Sequence, residues 1–110
     1  MSGPLANDLR IGRILSASLA EGVHNPSYVL EVDLGPELGT KRSCAQLTVR
    51  YDPADLVGRF VVCVCDLEPR QIGRYKSEVL VTGVDADDER GGVALLTVDT
   101  GEIEPGTRVY

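Results

Sequence analysis

Hydrophobic and polar residues alternate along most of this chain, with the period of β-strands. Over residues 28–34, Tyr28, Leu30, Val32 and Leu34 share one face, while Val29, Glu31 and Asp33 share the other. That pattern predicts a half-buried strand. Leu9–Leu19 alternates less regularly, with Leu9, Ile11, Ile14 and Leu15 set around Arg10, Gly12 and Arg13. It predicts a strand bent at Gly12. A strand over 41–49 places Ser43, Ala45, Leu47 and Val49 on one face and Arg42, Cys44, Gln46 and Thr48 on the opposite one. Residues 59–66 are apolar and β-branched and predict a buried strand. Further strands are expected over 77–84 and 93–98, with a short last one at 107–110. Residues 20–27 read as a loop, 35–39 and 68–73 as turns, and 85–92 as an acidic loop. Asp52-Pro53-Ala54-Asp55-Leu56 predicts one helical turn, with Asp52 as cap, Pro53 at the first position and Gly58 as terminator. Residues 1–7, small and polar with Gly3 and Pro4, suit a loose arm or a short helix.

Strands separated by turns, with one short helix among them, predict a single all-β domain over residues 1–110. A small barrel and a sandwich both fit, and a helix between the third and fourth strands is the arrangement of the oligonucleotide-binding (OB) barrel. The longest apolar run, residues 60–65, is far shorter than a membrane span. No basic segment followed by an apolar one opens the chain. Three cysteines, Cys44, Cys63 and Cys65, do not describe a secreted disulfide framework. These features point to the cytoplasm and away from the membrane.

The formal net charge is −6. Its distribution matters more, because charges act over a Debye length of about 8 Å. Residues 41–76 carry seven basic and four acidic groups, while 77–110 carry two basic and eight acidic ones. The middle third is therefore basic between acidic ends. Enzyme chemistry finds little support. His24 is the single histidine and sits in an expected loop, and no phosphate-binding glycine loop is present. Cys63 and Cys65 lack the partners zinc needs and read as buried apolar residues. Asp85, Asp87, Asp88 and Glu89 lack calcium-loop spacing. No catalytic residue, metal or cofactor is expected. The chemistry lies instead in two polar clusters. Arg70, Gln71, Arg74, Tyr75, Lys76, Ser77 and Glu78 alternate cations with amide, hydroxyl and aromatic groups. Lys41, Arg42, Ser43 and Gln46, followed by Arg50, form the second. Such groups neutralise phosphates, hydrogen-bond sugars and bases, and stack.

Four blocks carry a resemblance. They are residues 8–14 (DLRIGRI), 41–47 (KRSCAQL), 70–81 (RQIGRYKSEVLV) and 105–110 (PGTRVY). In this order and spacing they resemble the free-standing tRNA-binding domains, in particular their CsaA-like branch, which are related to the C-terminal domain of some methionyl-tRNA synthetases. The resemblance implies a five-stranded OB-fold barrel with short flanking terminal elements, a homodimer and tRNA as partner. Lys41, Arg42, Arg50, Arg70, Arg74 and Lys76 would then contact phosphate. Ser43, Gln46, Gln71, Ser77 and Glu78 would shape the site or reach sugars and bases. The branch also implies an alternative role as an export-related chaperone binding unfolded or preprotein peptides, here against Tyr28, Leu67 and Ile72. The chain departs from the pattern at Cys44, where a serine is usual, and at Asp66 and Glu68. Those two carboxylates are expected beside the cationic turn, where they would repel phosphate.

Overall fold

The computed structural model describes residues 5–110, so the expected arm over 1–7 falls largely outside the described residues. Five strands form one antiparallel sheet: β1 (Leu9–Leu19), β2 (Tyr28–Asp33), β3 (Thr40–Ala45), β4 (Phe60–Val64) and, late in the chain, Leu80–Val81. Two short hairpins decorate it. One is β5 (Arg70–Ile72) with β6 (Tyr75–Ser77). The other follows β7 (Leu80–Val81) and joins β8 (Gly83–Asp85) to β9 (Val93–Leu95). Two four-residue helical turns complete the fold, α1 (Gly35–Leu38) and α2 (Pro53–Leu56).

The strand order is β3-β2-β1-β4-β7. β1 is shared: its first half pairs with β4 and its second half with β2, the change of partner falling at Arg13. The open edges then approach each other. Glu78 N–H donates to the Arg42 carbonyl at 2.7 Å just before β7, bringing the last strand back to β3. The result is a nearly closed five-stranded barrel with the helix α2 between strands 3 and 4.

The alternation in β2 is realised in the core. Leu30, Val32 and Leu34 are fully buried, joined by Ile14, Leu56, Val61 and Cys63. Leu56 reaches that core from α2. The turn starts where the sequence places it: Asp52 is the N-cap and its N–H donates to the Asp55 carboxylate at 3.3 Å. Val29, on the opposite face of β2, is buried as well, so something covers that face too.

Several expected boundaries shift, for identifiable reasons. The irregularity in β1 lies at Leu15, between Ile14 and Ser16, and not at Gly12. Gly12 stays in register with Val61, and its role is spatial. A Cβ there would stand 2.4 Å from Val32 Cγ1 and 2.9 Å from Leu34 Cδ2. The third strand ends at Ala45 because the Leu47 N–H turns back to the Ala45 carbonyl, although Leu47 remains buried. Alternation reports burial, which continues beyond the pairing. The expected strand over 77–84 is three pieces, because the chain changes partner from β5 to β4 to β9. The turn at 35–39 is the helical turn α1, and the turn at 68–73 contains β5. The final strand over 107–110 is an extended segment held along β1, with Ile11 N–H donating to Thr107 O at 2.9 Å and Val109 N–H to Leu9 O at 2.8 Å.

One buried charge ties the start of β1 to α1. Arg10 is 4% exposed and donates to Asp8 at 3.1 Å and to Glu37 of α1 at 2.8 Å. The hydrogen bond from Arg10, followed by its Coulomb field, holds the Glu37 carboxyl below the usual carboxylate range. A lowered carboxylate pKa stabilises the fold above the unfolded-state value and loses that contribution as pH falls through the folded-state value. Urea midpoints followed from neutral to acid pH should therefore decline more steeply for wild type than for Glu37→Gln. In the core, Leu30→Ala should cost about 2–5 kcal/mol of unfolding free energy at neutral pH, read from the same urea curves.

Candidate nucleic-acid interface

The hairpin β5–β6 turns through Gly73 and Arg74, with Gly73 at φ 59°. Glycine adopts that left-handed conformation without a Cβ penalty. The register pairs Arg70 with Ser77, Gln71 with Lys76 and Ile72 with Tyr75. Pairing and alternation give the hairpin two faces. Arg70, Ile72, Tyr75 and Ser77 lie on one, and Gln71 and Lys76 on the other.

Two contacts latch the hairpin to β3. The Cys44 N–H donates to Ser77 Oγ at 3.0 Å, and the Arg42 N–H donates to Glu78 Oε1 at 3.0 Å. The two polar clusters therefore converge. Lys41, Arg42, Lys76 and Glu78 line one groove of about 380 Å³, together with Glu31 and Thr40. Gln46 and Arg70 line an adjacent pocket of about 450 Å³ with His24, Asn25, Cys44 and Ile72. Ser77 and Glu78 act here as latches, each holding a backbone N–H of β3.

The remaining candidates are distributed differently. Arg50 is tied to Asp88 at 2.9 Å and to the Gly91 carbonyl at 3.1 Å, in the loop between β8 and β9. Arg74 is paired with Glu21 at 2.8 Å, and Lys41 stands 4.0 Å from Glu78. Among the described residues, Arg42, Arg70 and Lys76 have no carboxylate within 4.0 Å. Gln71 Nε2 donates to the Gly73 carbonyl at 3.0 Å within the turn. Ser43 is 1% exposed on the core side of β3, and its Oγ has no hydrogen-bond partner among the described residues. It cannot reach a surface ligand from there. Alternation had already put Ser43 on the face of Leu47, and the closed barrel makes that face the interior.

Tyr75 anchors the far end of the hairpin. Its hydroxyl accepts the Glu21 N–H at 3.1 Å and an Arg74 N–H at 3.3 Å, and the Arg74 guanidinium lies 5.3 Å from the ring centroid. These contacts, the Glu21 backbone first, lower the Tyr75 pKa. The ring lines a groove of about 240 Å³ with Ser16, Ser18, Val29, Glu31 and Arg42. Val29 and the hairpin thus face each other across this groove.

Asp66 does not stand in the cationic face. Its carboxylate accepts from Asn7 Nδ2 at 3.2 Å and lines a groove with residues 5–9, Arg108 and Val109. The Asp8 backbone and the Asn7 amide lower its pKa. Glu68 is exposed beside Arg70 in a small pocket of about 120 Å³. That pocket also brings together Leu67 and Ile72 with Cys44, Val79 and Leu80. Tyr28, grouped with Leu67 and Ile72 as a peptide contact, lies in the barrel core instead. It is 6% exposed and donates its hydroxyl proton to the Tyr51 carbonyl at 2.8 Å.

Burial pushes the Cys63 thiol up to about 12 and the Cys65 thiol up to about 11, so both stay protonated. His24 is exposed at the pocket rim. Glu21, Glu31, Asp88, Ser16 and Ser18 are not recognisable from sequence as contributors to this face. Alternation places Glu31 on an outer face, but nothing local shows which cation each carboxylate meets.

The chain is 40% identical over 102 residues to a methionine–tRNA ligase of Acidithiobacillus ferrooxidans, and 36% identical over 104 residues to that of Methanopyrus kandleri. Each match covers 93% of this chain and 14% of the ligase, so the chain spans a small part of those relatives. Among solved structures it is similar to the chaperone CsaA of Bacillus anthracis, with TM-score 0.84 and 39% identity over 94% of this chain and 91% of that one. The CsaA chaperone protein of Picrophilus torridus gives TM-score 0.84 and 35% identity over 96% and 92%. Residues 9–108 match the family described as "Putative tRNA binding domain", and the chain belongs to that tRNA-binding domain family.

Proposed function

We propose that this domain binds tRNA by its backbone and shape, through the face where β3 meets the β5–β6 hairpin. The observation that carries the reading is the latch that sets Lys41, Arg42 and Lys76 along one groove, with Arg70 in the pocket beside it. Arg42, Arg70 and Lys76 are free to meet phosphates. Lys41, Arg50 and Arg74 join them when they exchange their carboxylate partners for phosphate. In this reading Gln46, at the pocket beside the groove, reaches sugars and bases, and Gln71 does so on releasing the Gly73 carbonyl. Ser77 and Glu78 hold the two elements in place. The reading assigns no chemical step to the domain and places it in the cytoplasm, where tRNA is found. A homodimer presenting two such faces is part of it. Exposed Leu15, Leu19 and Val57 offer apolar surface for self-association.

A second reading has its own support. Leu67, Ile72, Val79 and Leu80 form a small, mainly apolar pocket that could hold a side chain of an unfolded peptide, and the CsaA structures share the fold. Suppression of aggregation of a denatured client, undiminished by added tRNA, would favour it.

Fluorescence anisotropy with tRNA over a range of salt tests the first reading. Affinity should fall steeply with salt, because each neutralised phosphate releases counterions. Arg42→Ala with Arg70→Ala and Lys76→Ala should reduce the slope of log K against log salt by about one for each phosphate no longer neutralised. Binding that ignores salt, or survives this triple change, would sink it. Glu21→Gln removes the carboxylate held on Arg74 and should strengthen tRNA binding about two- to fivefold at low salt, the scale of an exposed ion pair. That gain should vanish when Arg74→Ala is already present.

A further inference from the structure

Glu31 is an anomaly in a cationic face. It projects from the outer side of β2, and the register sets it in a cross-strand row with Ser16 of β1 and Arg42 of β3. Arg42 lies directly opposite, yet the pair forms no ion pair within 4.0 Å among the described residues. The Ser16 hydroxyl instead donates to Glu31 Oε1 at 3.0 Å and fixes the carboxylate. No hydrogen bond from a described residue reaches Oε2. The carboxylate also occupies the junction of the face. Glu31 and Arg42 are the two residues common to the 380 Å³ groove under Lys41 and Lys76 and the 240 Å³ groove under Tyr75. A strand of nucleic acid that follows both grooves must pass over this pair.

An ionised carboxylate only accepts hydrogen bonds, so it repels phosphate and needs a donor. The sugar–phosphate backbone of RNA offers one donor at every nucleotide, the ribose 2′-hydroxyl, and DNA offers none. Base amino groups also donate, but only at particular sequences. Ser18, exposed in the same groove, adds a second hydroxyl partner for a ribose.

We infer that Glu31, held by Ser16 beside Arg42, is a specificity-determining residue that accepts a hydrogen bond from a 2′-hydroxyl and so selects RNA over DNA. The inference rests on the reading of this face as a tRNA site and deepens it. Arg42 supplies affinity for either polymer. Glu31 supplies discrimination, because with DNA its charge is left facing phosphates with no donor to meet it.

The experiment measures Kd for an RNA hairpin and a DNA hairpin of the same sequence, at one salt concentration, with the full chain. Wild type should prefer RNA by at least about tenfold, the scale of one hydrogen bond to a charged group. Glu31→Ala should weaken RNA binding, strengthen DNA binding and bring the ratio towards one. Glu31→Gln, which keeps a carbonyl acceptor without the charge, should retain part of the preference. Arg42→Ala should weaken both hairpins and leave the ratio unchanged. Equal strengthening of both polymers by Glu31→Ala would show a merely repulsive charge and overturn the inference. Equal affinity of wild type for both would overturn it too, while leaving the binding reading intact. Failure of wild type to bind either hairpin would overturn the inference, and failure to bind tRNA as well would overturn both. Thermal melting of each variant guards against misfolding, and Glu31 is exposed, so its substitution leaves the core untouched.

Discussion

The Arg42 carbonyl accepts two N–H groups, from Glu78 at 2.7 Å and from Val79 at 3.4 Å. Both the barrel and its candidate binding face depend on that convergence. It brings the segment leading into β7 back to β3, so that the sheet edge left by β3 is no longer open. An unpaired edge would expose backbone groups and invite association with other strands. The same contact sets the β5–β6 hairpin against the outer face of the sheet. Cys44 and Arg42 extend the seam by donating their N–H groups to Ser77 and Glu78 side chains. The barrel and the proposed binding face therefore share one set of hydrogen bonds.

The placement of the carboxylates reconciles a net charge of −6 with the proposed polyanionic partner. Much of the acidity lies away from the face or is committed to other contacts. Asp66 is bonded to Asn7, and Glu37 is bonded to Arg10. Of the carboxylates that remain near the cations, Glu21 and Asp88 each hold an arginine in place in the free protein. Exposed pairs of this kind are weak, so a phosphate can exchange for them. Their presence also keeps the cations from wandering and lowers the cost of ordering them on binding.

The core explains why the face can be so polar without loss of order. The inward residues of β1, β2 and β4, with Leu56 from α2, fill the barrel. Gly12 lets β1 approach Val32 and Leu34 closely. Arg10 then fastens Asp8 and the helical turn α1 to the start of β1, and backbone hydrogen bonds to Leu9 and Ile11 hold the C-terminal segment along the same strand. Loops and hairpin are carried by this frame and contribute few residues to it.

Local chemistry in the sequence determined the strands, the helical turn and the two cationic clusters. Alternation of side chains is a local property, so β1 and β2 were legible almost to their ends. Asp52 and Pro53 mark a helix start by chemistry that acts within one turn. The motif blocks added the barrel that alternation alone left open between barrel and sandwich. Partnership was not legible, because hydrogen bonds between strands join residues far apart in the chain. Hence the strand over 77–84 divides among three partners. Alternation did set Ser43 and Arg42 on opposite faces, and closure of the barrel made the Ser43 face the interior. Tertiary structure alone decided that Asp66 turns to Asn7, that Glu21 meets Arg74, and that Glu31 stands beside an Arg42 without a carboxylate partner among the described residues. A carboxylate's influence falls off with distance through space, and distance through space is what closure of the barrel sets.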